Sequence, residues 1–266
     1  MSACVAVGFY FLLGQHILPG QEWIFMRIES KVIAYGFIFL GLYAVMNRRL
    51  WLTAVFGGCA ASIHVLVGWW GSAALGLTAL SFGLGTWPER FRALGMWCAA
   101  GSVGIYYALS FLFETRPAAQ FDINWIYVYF RNPHHLDPFS WEIKLRDLIF
   151  AVPLIWVLAG AGTYFPDRDE PRIAARFALW TLLPYCLGII ASPFDAAPKF
   201  LQFYPFRVAS TLVPLFGLLI ATLAFCRHVL RSKPGYMLMI VGAFMFLISG
   251  AVEFADWYKD LSEFPE

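Results

Sequence analysis

The sequence predicts an all-α fold: a polytopic bundle of about eight or nine transmembrane helices, forming one domain over residues 1–266. Three observations predict it. Of 266 residues, 60% are hydrophobic and only 14% charged, against roughly 45–50% and about 25% in soluble domains. Apolar stretches close to the ~20 residues that cross a bilayer recur along the whole chain. The charges collect in the segments between them. This composition excludes an ordinary soluble enzyme, a disordered chain and a disulfide scaffold. A net charge of +2 offers no field for nucleic acid. The expected partner is the lipid bilayer.

In chain order, spans are expected near residues 2–18, 32–47, 50–67, 70–86, 93–113, 147–165, 173–192, 208–226 and 235–253. The first has no basic start and no small-residue cleavage site, so it does not read as a signal peptide. Its abrupt beginning fits either a whole chain or the C-terminal part of a longer protein. From Leu50 to Trp87 there is no Asp, Glu, Lys or Arg. That run is too long for one span and is expected to break at Gly68-Trp69-Trp70-Gly71. The count is nine, or eight if one half is re-entrant.

Orientation follows from the short loops. Arg48 and Arg49; Arg90 and Arg92; Arg168, Arg172 and Arg176; and Arg227, Arg231 and Lys233 fall in alternate, compact turns. By the positive-inside rule these turns are cytoplasmic, with the long loop and the C-terminus outside. Cys4, Cys59, Cys98, Cys186 and Cys226 all lie in expected helices without CxxC spacing, so they read as small buried residues. His64 sits deep in an apolar run. Such a residue either shares a hydrogen bond between helices, the preferred reading, or serves function.

The polar chemistry collects in three outer segments: residues 19–31, 114–147 and 193–207. Their aromatic content argues for order against the membrane surface. The densest cluster runs from Tyr129 to Trp141, where Pro133 and Pro138 prevent a regular helix. His134 and His135, adjacent imidazoles that can hydrogen-bond, pass a proton or ligate a metal, are the candidate catalytic residues. Arg131 offers a planar fork for a phosphate or carboxylate, or pairs with Asp137. Asp137 and Trp141 complete this part of the binding set. Arg207, two residues after Pro205, either snorkels to headgroups or aims at an anionic ligand. Glu22 and Arg27, in the first outer segment, are further binding candidates, although pairing of Arg27 with Glu29 is the simpler account. A metal would need a third ligand from Glu22, Asp122, Asp137 or Asp195, and no HExxH-type spacing exists, so no metal is expected. The sequence names no cofactor.

Arg131-Asn132-Pro133-His134-His135-Leu136-Asp137-Pro138, together with His64 and Pro205-Phe206-Arg207, resembles the pattern of a family of bacterial polytopic membrane proteins of unknown function. Those proteins look broadly like the GT-C superfamily of glycosyltransferases. That resemblance implies a transferase using a lipid-linked sugar donor at the outer face. The alternatives are a transporter, a non-catalytic membrane component, or an inactive truncated copy. One departure stands out. GT-C enzymes typically carry an acidic residue in an Asp-containing motif of the first outer loop, where this chain offers only Glu22 and Glu29.

Overall fold

The structure is a computed structural model. It describes residues 18, 29–113, 122–141 and 145–228. The expected spans at 2–18 (Leu18 apart) and 235–253, and the candidates Glu22 and Arg27, lie outside the described residues.

Among the described residues every regular element is helical. Eight helices carry the architecture: α1 (Ser30–Met46), α2 (Leu50–Ile63), α3 (Val65–Ser81), α4 (Trp87–Ala100), α5 (Ser102–Phe113), α6 (Leu145–Ala159), α7 (Asp169–Ala191) and α8 (Arg207–His228). Two of them, α7 with 23 residues and α8 over Arg207–Arg227 with 21, are long and apolar enough to cross a membrane. At about 1.5 Å per residue each exceeds the ~30 Å hydrocarbon core. α4 and α5 qualify together, but they are bent by 71° at their junction. The remaining apolar helices run to 10–17 residues. Two helices, or three with the bent pair, therefore stand where seven of the expected spans fall.

The helices are apolar on both faces. In α1, Ala34, Tyr35, Ile38, Leu42 and Val45 are buried, while Ile33, Leu40 and Tyr43 are 48%, 47% and 66% exposed on the other side. A helix in water would carry polar residues there. Trp51, Phe113 and Trp156 likewise point apolar rings outward.

α2 and α3 form a tight antiparallel hairpin. Ser72 Oγ donates to the Gly57 carbonyl at 2.8 Å. Nearer the tip, a Cβ on Gly68 would fall 2.2 Å from the Ala61 nitrogen. The break lies at His64, not at the expected Gly68–Gly71 segment. Gly68 and Gly71 are helical because their missing side chains admit α2 and Ile38 of α1. In an apolar medium small residues promote close packing more than they interrupt a helix.

His64 is extended (φ −145°, ψ 98°) and caps α3: its Nδ1 accepts from the Val67 N–H at 3.3 Å. The imidazole thus occupies one of the donors that a helix start leaves open. This bond lies within one chain segment, at the turn of the hairpin, and gives the half-buried imidazole a local structural purpose. Replacing His64 with Ala should cost about 1 kcal/mol of stability, and Asn should restore most of it. Thermal melting of the detergent-solubilised protein checks this. Equal losses for both variants would remove the capping account.

The basic turns meet at one end of the bundle. Arg48 reaches Asp169 at 2.6 Å and the Phe82 carbonyl at 3.2 Å. Arg172 joins the same carboxylate at 3.2 Å, and Arg227 binds Asp167 at 2.6 Å. The hydrogen bond from Arg227 holds the Asp167 carboxyl below the usual carboxylate range. At the other end, Pro205 and Phe206 lie against Gly188 of α7, where a Cβ would come within 2.6–2.8 Å of them. α8 enters the core directly from that contact, with Arg207 to Pro214 buried on every face.

Candidate functional site

Residues 122–141 fold as a chain of short turns, each started by a local signal. Asp122 accepts from the Asn124 and Trp125 N–H groups and opens the turn Ile123–Trp125. A π-helical turn, Ile126–Arg131, follows and ends at Asn132. Pro133 then stands in the first turn of the helix Pro133–Leu136, where its missing N–H is harmless. Asp137 caps the 3₁₀ turn Pro138–Ser140 by accepting from the Phe139 N–H at 3.0 Å. The prolines prevent one regular helix, as expected, but the pieces between them are helical turns and not extended chain. Val128 and Leu136, both fully buried, anchor it to the core.

The helical turn changes the geometry of the histidine pair. In an extended strand the two side chains would oppose each other. Here their rings are adjacent, with centroids 4.0 Å apart. His134 is exposed, while His135 is half-buried and lies 6.4 Å from the Tyr204 ring.

Tyr204 is the centre of the arrangement. Its hydroxyl shares a 2.9 Å hydrogen bond with the hydroxyl of Tyr127. The Arg207 guanidinium lies 4.0 Å over the Tyr204 ring, and that of Arg131 lies 6.0 Å over the Tyr127 ring. Two arginines therefore sit on two tyrosines that are bonded to each other, and His135 packs alongside. Arg131 is exposed and makes no ion pair with Asp137. Arg207 is 9% exposed, with its guanidinium held against Tyr204.

The other candidates hold this edge in place. Trp141 packs on Phe206 at 4.8 Å and donates from Nε1 to the His134 carbonyl at 3.1 Å. Asp137 fixes the 3₁₀ turn and, after burial, helps push the Tyr129 phenol up. On the facing segment, the Phe203 carbonyl accepts from Trp70 Nε1 at 2.8 Å. Beside Tyr127 a cavity of about 370 Å³ opens, lined by Leu66, Tyr107, Asn124 and Gln202 among others.

Sequence reading missed Tyr127 and Tyr204 as site residues. The available signal was Tyr204 preceding Pro205, which restricts its backbone. Tyr204 adopts φ 51°, in the left-handed region. Among the described residues no three His, Cys, Asp or Glu side chains group to hold a metal ion. Cys59, Cys98, Cys186 and Cys226 are free thiols. No protein-family model, curated protein or solved structure matches this chain.

Proposed function

We propose that this chain is a multi-pass protein of the bacterial cytoplasmic membrane, acting on a phosphate-bearing, lipid-linked glycan at the extracytoplasmic face. The gathering of basic turns at the opposite end supports that orientation. The observation that carries the reading is the Tyr127–Tyr204 hydrogen bond, which ties two arginine seats into one edge. Guanidinium groups seated on aromatic rings are preorganised for an oxyanion, and such preorganisation supplies much of the rate enhancement in group-transfer reactions.

On this reading the protein is a GT-C-like glycosyltransferase. Arg131 and Arg207 hold the donor phosphate. The bond between the anomeric carbon and the phosphate oxygen breaks as the acceptor oxygen bonds to that carbon. The acceptor's proton passes to the exposed His134, and the phosphate leaves on the arginines. His135, against Tyr204, orients its neighbour.

The experiment compares envelope glycans in cells carrying the wild type, Arg131→Ala or His134→Ala at matched protein levels. Loss of a general base costs about 10²–10⁴-fold in rate, so the His134 variant should accumulate unextended acceptor. Unchanged glycan composition in both variants would sink the transferase reading. A transporter is the second reading, favoured by the break at His64 and the 71° bend between α4 and α5. Transporters place discontinuous helices around their sites. Altered uptake with unaltered glycans would select it.

A further inference from the structure

A second site lies between α2, α3 and α4. There the three helices enclose a groove of about 390 Å³, which runs from Arg90 and Leu84 to Trp69 and Trp97. Its walls are almost wholly apolar. Trp69 and Trp97 close the far end edge to face, with centroids 5.8 Å apart. Along α3 the groove extends from Trp69 to Leu80, about 16 Å at 1.5 Å per residue.

The near end carries the opposite chemistry. Arg90 is half-buried, donates from Nε to the Leu84 carbonyl at 3.1 Å, and lies 5.1 Å over the Trp87 ring. These contacts fix the guanidinium but leave its charge without a carboxylate among the described residues. Arg49 and Arg92, nearby in sequence to the same turns, also have no ion pair among the described residues. Arg48 and Arg172 share Asp169, and Arg227 pairs with Asp167. An apolar slot with an immobilised cation at its mouth matches one amphiphile: an acyl chain attached to an anion.

We propose that this groove binds one anionic phospholipid, with an acyl chain lying from Arg90 towards the Trp69–Trp97 pair and the phosphate on Arg90. The site is separate from the glycan reading and requires only that α2, α3 and α4 meet the bilayer. Gly76 supplies a means of closing it. Gly76 lines the groove, and a Cβ there meets nothing within 4 Å. A large side chain at that position therefore fills the slot without disturbing a helix contact.

The test is native mass spectrometry of the full chain, reconstituted in vesicles of equal phosphatidylglycerol and phosphatidylcholine and then released. The wild type should retain one phosphatidylglycerol in preference to phosphatidylcholine. Arg90→Gln should reduce that preference about tenfold, the loss of one charge-assisted hydrogen bond. Gly76→Trp should lose the bound lipid, and Gly76→Leu should weaken it. Gly95→Trp, at an equally open position of α4 outside the groove, should retain it. Melting curves verify that each variant is folded. No preference in the wild type, wild-type retention by folded Gly76→Trp, or equal loss in Gly95→Trp would each overturn the proposal.

Discussion

Gly68→Ala is expected to disrupt the α2–α3 hairpin, at a cost of about 3 kcal/mol or more. The added carbon would lie 2.2 Å from the Ala61 nitrogen and 2.3 Å from the Ala60 carbonyl carbon. Those are backbone atoms of a packed helix, so no side-chain rotation relieves the overlap. The two helices would have to separate, losing the Ser72–Gly57 hydrogen bond as well. Gly76→Ala, two turns further along the same helix, is the matched control. A Cβ there meets nothing within 4 Å, and alanine favours a helix by about 0.8–1 kcal/mol over glycine. The melting midpoint in detergent should fall steeply for the first variant and hold or rise for the second. Similar shifts for both would mean that helix propensity, and not contact between backbones, governs this hairpin.

The same pair of positions shows what the sequence makes legible and what it conceals. α7 and α8 are evident as long apolar runs, because bilayer thickness sets one length scale that composition reports directly. The start of α4 is local too, although the expected span began near residue 93: Thr86 and Glu89 form a capping box, with the Glu89 carboxylate 2.7 Å from the Thr86 nitrogen. The hairpin is not local. Gly68 and Gly71 look like a break when read along the chain, since glycine weakens an isolated helix. Only the approach of α2 and α1 turns them into helix contacts. The actual break, at His64, reads in sequence as a polar residue within an apolar run, and becomes a cap only when the backbone extends.

The site divides in the same way. Arg131, His134, His135 and Arg207 are visible because polar residues in an apolar chain are few. Their mutual arrangement is not, because the link is a hydrogen bond between tyrosines 77 positions apart. Twelve tyrosines in the chain give no reason to single out those two. The adjacency of the histidine rings is concealed for a different reason. Pro133 and Pro138 exclude one continuous helix, but they also permit a short one to begin at Pro133.

Tyr204 supports the second large expected effect, because its backbone and its side chain oppose each other. At φ 51° a residue with a Cβ is strained by about 1–2 kcal/mol relative to the right-handed region. The contacts of the buried ring offset that strain: the Tyr127 hydroxyl, the Arg207 guanidinium and His135. Tyr204→Ala retains the strain and loses the ring, so it should cost about 3–5 kcal/mol, as for other buried aromatic truncations. Tyr204→Gly loses the same ring but tolerates the left-handed conformation, and should melt higher than the Ala variant, by about 1 kcal/mol in stability. Tyr204→Phe keeps the stack and forfeits only the hydroxyl bond, about 1 kcal/mol. Affinity for a short-chain polyprenyl phosphate should follow a different order. Ala and Gly both remove the seat of Arg207 and the partner of Tyr127, so both should bind at least about tenfold more weakly, a change of ~1.4 kcal/mol. A glycine variant less stable than the alanine one would refute the strain argument. Undiminished binding in both would refute the placement of the phosphate on this edge.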